Sequence, residues 1–188
     1  MTVEEIFAQI ASHMIEGLMF HSQMSEYYEF LGLPGYSECH KYHYFCESWS
    51  FQDLCLYYID EYNRLLPVNQ AGDPGVIPNS WYKYTRQDVD TNTKRSGVKT
   101  GLEKWVAWER DTKKLYEQMY SLLLEMNEMA AAHKVKCLVK DVDEELRHAE
   151  QYHLNKKAID YDIVAIVEEQ SKKKDKYNNE MRGLFFHK

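Results

Sequence analysis

The chain has 188 residues, enough for one domain with a sizeable core, and its 44% apolar and 28% charged residues are ordinary for a globular protein. A formal charge of −7 excludes a surface that attracts nucleic-acid phosphates as a whole. No apolar run approaches a membrane span, the four cysteines (Cys39, Cys46, Cys55, Cys137) form no CxxC pair, and "MTVEEIFAQI" lacks the regions of a signal peptide, so a cytoplasmic protein with free thiols is expected.

Residues 3–30 carry Ile6, Ile10, Met14 and Leu18 at helical spacing, widened by Phe7 and Ile15. Thr2 with Glu5 three residues on forms a capping-box pattern, and "GLPG" (32–35) ends the helix. A second helix is expected over 37–66, capped by Ser37, with Tyr42, Phe45, Trp49, Leu56 and Ile59 inward and Pro67 at its end. Residues 67–97 then form a long connection rich in proline and glycine, with a short helical turn expected in "SWYKYTRQDVDTNTKRSG".

The third helix, over 99–132, has the most regular stripe: Leu102, Trp105, Glu109, Thr112, Tyr116, Met119, Leu123, Met126 and Ala130. The fourth, over 134–155, presents Val135, Leu138, Val142, Ala149 and Tyr152. A shorter fifth covers 157–170 through Ile163, Ile166 and Val167. Beyond it the chain turns basic and polar, with "KKKDK" (172–176) reading as a solvated tail and "LFFH" (184–187) near the end. Two short turns around one long connection predict an all-α four-helix bundle with a crossover. One domain over 1–188 is expected, its bundle over about 3–155 and its last helix and basic tail over 156–188.

Glu109 stands in the middle of the third stripe. A carboxylate buried there without a partner costs several kcal/mol, so it needs a proton, a cation or an edge position. Glu145-x-x-His148 puts a carboxylate and an imidazole on one helix face. His40, His43 and Glu47 share a face of the second helix, and His13 and Glu16 lie three apart on the first. Each helix thus offers a ligand-type residue to the interior, the requirement for an iron or manganese pair. Thirty acids also produce such pairs by chance on solvated faces, and Asp143, Glu144, Arg147 and Glu150 read as surface. His40 and His153 read as surface or capped core histidines rather than ligands.

In these residues the chain resembles the ferritin-like superfamily. "SEYYEFLGLPGYSE" (25–38) is similar to the first turn of bacterial ferritins, and "AWERDTKKLYEQM" (107–119) to their third helix. "EELRHAE" (144–150) resembles the EExxHA signature of rubrerythrin and bacterioferritin relatives. The resemblance covers roughly 5–155 and implies a ferritin-like bundle with one long crossover and a short C-terminal helix. It places Glu47, Glu109 and Glu145 on metal-binding positions, with iron, or manganese, as the metal. The second-helix histidine falls on Ser50, the first-helix glutamate falls near Met14 with Glu16 two residues away, and Val142 replaces a further ligand. The implied centre keeps three glutamates, draws on His43 or His148, and is incomplete as a di-metal carboxylate site. A complete set would imply a ferroxidase-type oxidoreductase.

A homo-oligomer is the expected assembly. The opposing reading is a metal-free bundle that binds a protein or nucleic acid, as in a mobile-element adaptor. The 67–97 crossover, with Trp81, Tyr82 and Tyr84, would then contact a protein, and the basic tail is the only segment suited to nucleic acid. "IDEYNR" (59–64) is similar to the second helix of the Dps-like branch, but Arg64 stands where that branch has a carboxylate.

Overall fold

The computed structural model describes residues 1–68 and 86–170, all helix and turn among those residues. Most of the crossover, with Trp81, Tyr82 and Tyr84, and the tail with "KKKDK" and "LFFH" lie outside the described residues. Four long helices make the body: α1 (Val3–Phe30), α2 (Pro34–Tyr62), α3 (Thr91–Glu125) and α4 (Met129–Ala158). A 3-10 turn at Arg86–Asp88 precedes α3, and a further stretch, α5, covers 163–170.

Local chemistry sets the boundaries. Thr2 and Glu5 form the expected capping box, Glu5 N–H donating to Thr2 Oγ1 at 3.2 Å and Thr2 N–H to Glu5 Oε2 at 2.7 Å. At the far end of α1, Gly32 takes a φ of +71° and Leu33 N–H reaches back to the Tyr28 carbonyl at 2.9 Å. Pro34 then opens α2, where a missing N–H costs nothing. Several boundaries differ from the sequence expectation: α2 ends at Tyr62, where Asn63 takes a φ of +51°, α4 covers Met129–Ala158 and the fifth helix starts at 163. Ser37 is not a cap but an internal residue, its hydroxyl 3.0 Å from that of Ser25. The third helix begins at Thr91, because Asp90 accepts from Thr93 N–H at 2.7 Å. It ends at Glu125, because Asn127 adopts a φ of +61° and Glu128 N–H bonds the Leu123 carbonyl at 2.9 Å. Met126 and Ala130 are therefore exposed turn and helix-start residues, not part of the stripe.

α1 packs along α2, α3 along α4, and α1 against α3. The core falls into two apolar clusters. One joins Met24, Tyr28, Leu33, Tyr36, Leu102 and Trp105 with Ala149 and Tyr152. The other joins Ile6, Ile10, Met14, Leu54, Tyr58, Met119 and Leu123 with Val135 and Leu138. These memberships fix directions: α2 and α3 both run from the first cluster to the second, and α1 and α4 run back. The connection between α2 and α3 must therefore return along the bundle, about 40 Å for helices of this length. That return accounts for its length, as the crossover reading expects.

The inward face of α2 corrects the sequence expectation. Trp49, Leu56 and Ile59 are exposed, and Tyr42 and Phe45 are only half-buried. His40, His43, Leu54 and Tyr58 face the core instead. In the middle of α2 the inward face is polar, through His40, His43 and Glu47, while Trp49 and Leu56 point out.

Candidate metal centre

Between the two apolar clusters lies a polar layer to which every long helix contributes. α1 supplies His21, α2 supplies His40, His43 and Glu47, α3 supplies Glu109 and Thr112, and α4 supplies Glu145. On α2, α3 and α4 this layer falls where one cluster's membership ends and the other's begins, and on α1 His21 follows Phe20 at the start of the first cluster.

Glu109 is 1% exposed. Trp105, one turn earlier on α3, donates its indole N–H to Glu109 Oε1 at 2.9 Å. Glu109 Oε2 has no hydrogen-bond partner. Burial, followed by the charge of Glu145, pushes the Glu109 carboxyl well above the usual range. Glu47 sits against α1 at Gly17, where a Cβ would lie 3.3 Å from Glu47 Oε1, so the missing side chain makes room for the carboxylate. Burial and the charge of Glu145 push Glu47 up to about 8. Glu145 keeps 28% of its side chain exposed, and its Oε1 lies 3.6 Å from His43 Nδ1. Burial opposes a charge on His43, but the Cys39 side chain and Glu145 outweigh it and hold the ring protonated well above its usual range.

A second group of rings continues this layer toward the α1–α2 turn. His21 Nδ1 lies 3.0 Å from His40 Nδ1. His21 stacks on His43 with centroids 5.2 Å apart, and its Nε2 lies 3.8 Å from Glu109 Oε1. Burial, then the neighbouring imidazoles, keeps His21 well below the ordinary histidine range; burial, then His43, does the same to His40. His40 is a buried core residue, as expected, and it leans on Tyr28, which stacks in turn on Tyr36 at 4.8 Å.

The structure brings Glu47, Glu109, Glu145 and His43 together. It does not bring Glu16 with them. Glu16 is 39% exposed, pairs with His13 Nδ1 at 3.6 Å, and is not among the carboxylates whose charge acts on Glu47 or Glu109. His13 Nε2 is 2.7 Å from Thr112 Oγ1, and its ring stacks on Trp108. His148 sits at the exposed rim, edge-on to Tyr152 at 4.9 Å and 6.5 Å from His43. The sequence reading did not single out His21, because its seven-residue spacing from Met14 reads as one more position of an apolar stripe.

Beside the carboxylates is a cavity of about 40 Å³, lined by Glu47, Glu145, Cys46, Ser50, Tyr116 and Asp141 among others. Asp141 is exposed, so this side leads toward solvent. No group of three or more His, Cys, Asp or Glu side chains among the described residues is already closed around a cation position. The donors do match a divalent metal in kind: three carboxylates and a set of imidazoles, with Glu109 Oε2 and His21 Nε2 buried without a hydrogen bond among the described residues and His43 Nδ1 facing Glu145 at 3.6 Å.

A four-helix bundle in which α2 and α3 run parallel, with an acid-and-histidine layer at mid-height, has a ferritin-like fold. No family profile and no curated protein matches the sequence. Among solved structures, the chain superposes on an open-pore ferritin from the hyperthermophilic archaeon Archaeoglobus fulgidus with a TM-score of 0.74 at 13% identity, over 92% of this chain and 94% of that one. A humanized archaeal ferritin gives 0.72 at 13% identity over the same shares. A closed form of the A. fulgidus ferritin engineered by site-directed mutagenesis gives 0.71 at 14%, also over 92% and 94%. At these identities the likeness establishes the fold.

Proposed function

We propose that this protein binds a divalent metal, iron in the first place and manganese as the alternative, at the middle of its bundle through Glu47, Glu109, Glu145 and His43. The observation that supports this most is the convergence of three carboxylates from three helices, with a buried Glu109 oxygen left without a partner. Such an arrangement is costly without a cation or protons. A bound Fe(II) would supply redox chemistry at this position. The chain's own residues do the rest. Trp105 fixes one Glu109 oxygen and turns the other to the centre. Tyr116, fully sunk beside the carboxylates, closes off water. Asp141 at the exposed edge of the cavity attracts cations toward Glu145 and Glu47.

In this reading the protein is cytoplasmic and self-associates. No helix among the described residues is long and apolar enough to cross a membrane. Trp49 and Leu56 on the outer face of α2 are 46% and 52% exposed, which suits burial against a second copy. A second reading, a metal-free bundle used for binding, is favoured by Met14, Ser50 and Val142, which line the cavity beside the glutamates and offer no strong ligand. Metal analysis of protein purified without chelator, followed by anaerobic Fe(II) addition, separates the two. Bound iron or manganese, or uptake that Glu109→Gln abolishes, supports the metal reading. Protein isolated without either metal that also takes up no Fe(II) refutes it.

A further inference from the structure

We propose that His21 is the ligand contributed by α1 to this centre, binding the metal through Nε2. The inference rests on the metal reading above and adds a residue that the ferritin resemblance does not supply.

α1 offers no carboxylate to the centre. Met14 is buried in the lower apolar cluster, Gly17 has no side chain, and Glu16 turns to His13. What α1 does send inward is His21, fully buried and two turns beyond Met14. Its Nε2 faces Glu109 Oε1 at 3.8 Å. That separation is too long for a hydrogen bond, and Oε1 already accepts from Trp105, which leaves Oε2 as the free oxygen of Glu109. Neither His21 Nε2 nor Glu109 Oε2 has a hydrogen-bond partner among the described residues. A purely structural network rarely leaves such groups unmatched in a dry interior.

The other side of the ring is fixed. His21 Nδ1 and His40 Nδ1 are 3.0 Å apart, so a single proton lies between them. When His21 donates it, the Nε2 lone pair is left pointing at Glu109, the arrangement by which an outer partner sets the tautomer of a metal-ligating histidine. Stacking on His43 and His40, both with centroids at 5.2 Å, and an edge contact from Phe20 at 5.3 Å hold the ring plane. The donor set thus reaches from Glu47 and Glu145 up toward the α1–α2 turn, and it gains nitrogen where it lacks the first-helix glutamate.

Cobalt(II) loading of the full chain tests this. Each ligating imidazole keeps one N–H, which appears as a solvent-exchangeable proton resonance shifted far downfield by the paramagnetic ion. His21 and His43 should give two such signals, both surviving His148→Gln at the exposed rim. His21→Gln should remove one signal, retain the other, and weaken cobalt binding about ten-fold or more. Cobalt bound with both signals unchanged in His21→Gln overturns the role of His21 while leaving a metal centre in place. Failure of the unaltered protein to bind cobalt overturns both. Should His21→Gln not fold, the His148→Gln protein decides: two signals support His21 as a ligand, and a single signal removes it.

Discussion

Replacing Glu47 with glutamine should stabilise the metal-free protein at neutral pH and leave it nearly unchanged in acid. Glu47 titrates at about 8 in the folded chain against an ordinary value of 4.5, through burial and the charge of Glu145. Between those values the folded state holds a proton that the unfolded state has released, so stability falls as pH rises across that window. Each unit is worth about 1.36 kcal/mol, so at pH 7.5 the penalty has a ceiling of about 4 kcal/mol. Glu47 keeps part of its surface in water, which screens the effect, and about 2 kcal/mol is the expected gain from Glu47→Gln. For a chain of this size that is a rise in Tm of about 4–8 °C. Thermal melts in chelator at pH 7.5 and pH 4.5 measure it. Equal destabilisation by Glu47→Gln at both pH values would refute the picture of an acid held protonated among acids.

Three further outcomes follow from the same structure. Divalent metal should raise Tm more at pH 7.5 than at pH 5.5, because protons compete for Glu47 and Glu109; at a hundred-fold excess over Kd the gain is about 2.7 kcal/mol, read by calorimetry and absent in Glu109→Gln. Gly101→Ala should lose stability although alanine favours helix. Its Cβ would meet Tyr28 Oη at 2.4 Å, and Tyr28 is clamped by stacking on Tyr36, so overpacking of about 1–3 kcal/mol outweighs a propensity gain of about 1 kcal/mol in a urea melt. Asn127→Gly should match or exceed the parent in stability while Asn127→Ala loses about 1 kcal/mol, since the α3–α4 turn needs a positive φ there.

How far the sequence could be read depended on which physical signal dominated each element. α1, the α3 stripe from Leu102 to Leu123 and the α4 stripe were legible because their buried residues are apolar and recur at helical spacing, and Glu109 was conspicuous as the exception. The α3–α4 turn was misplaced because Met126 and Ala130 continue the apolar rhythm past the end of the helix, while the signal that ends it is one left-handed asparagine. α2 was read inside out for a deeper reason. Its core-facing positions are His40, His43 and Glu47, and its apolar residues Trp49, Leu56 and Ile59 lie outside, so a rule that sends apolar residues inward chooses the wrong face. The same inversion hid His21. A histidine among aromatic neighbours gives no periodic signal of its own, and only the opposing helices show that it meets Glu109.

The position of the polar layer carries a consequence for how the centre would work. Below it, Met14, Val142 and Leu138 close the floor with apolar atoms, and Asp141 at the exposed edge is the further carboxylate lining the cavity beside Glu47 and Glu145. Above it, three imidazoles and Trp105 occupy the space up to the tyrosine stack. Imidazoles carry no negative charge when they ligate, so three carboxylates leave one negative charge with one dication and one positive charge with two, and charge alone does not choose between them. Three glutamates and two imidazoles fall short of the four glutamates and two histidines of a di-metal carboxylate bundle, so a single ion, held by carboxylates on its solvent side and by nitrogen on its inner side, is the stoichiometry the donor count favours. Titration to two equivalents with equal affinity would show that the histidine half of the layer takes no part in setting it.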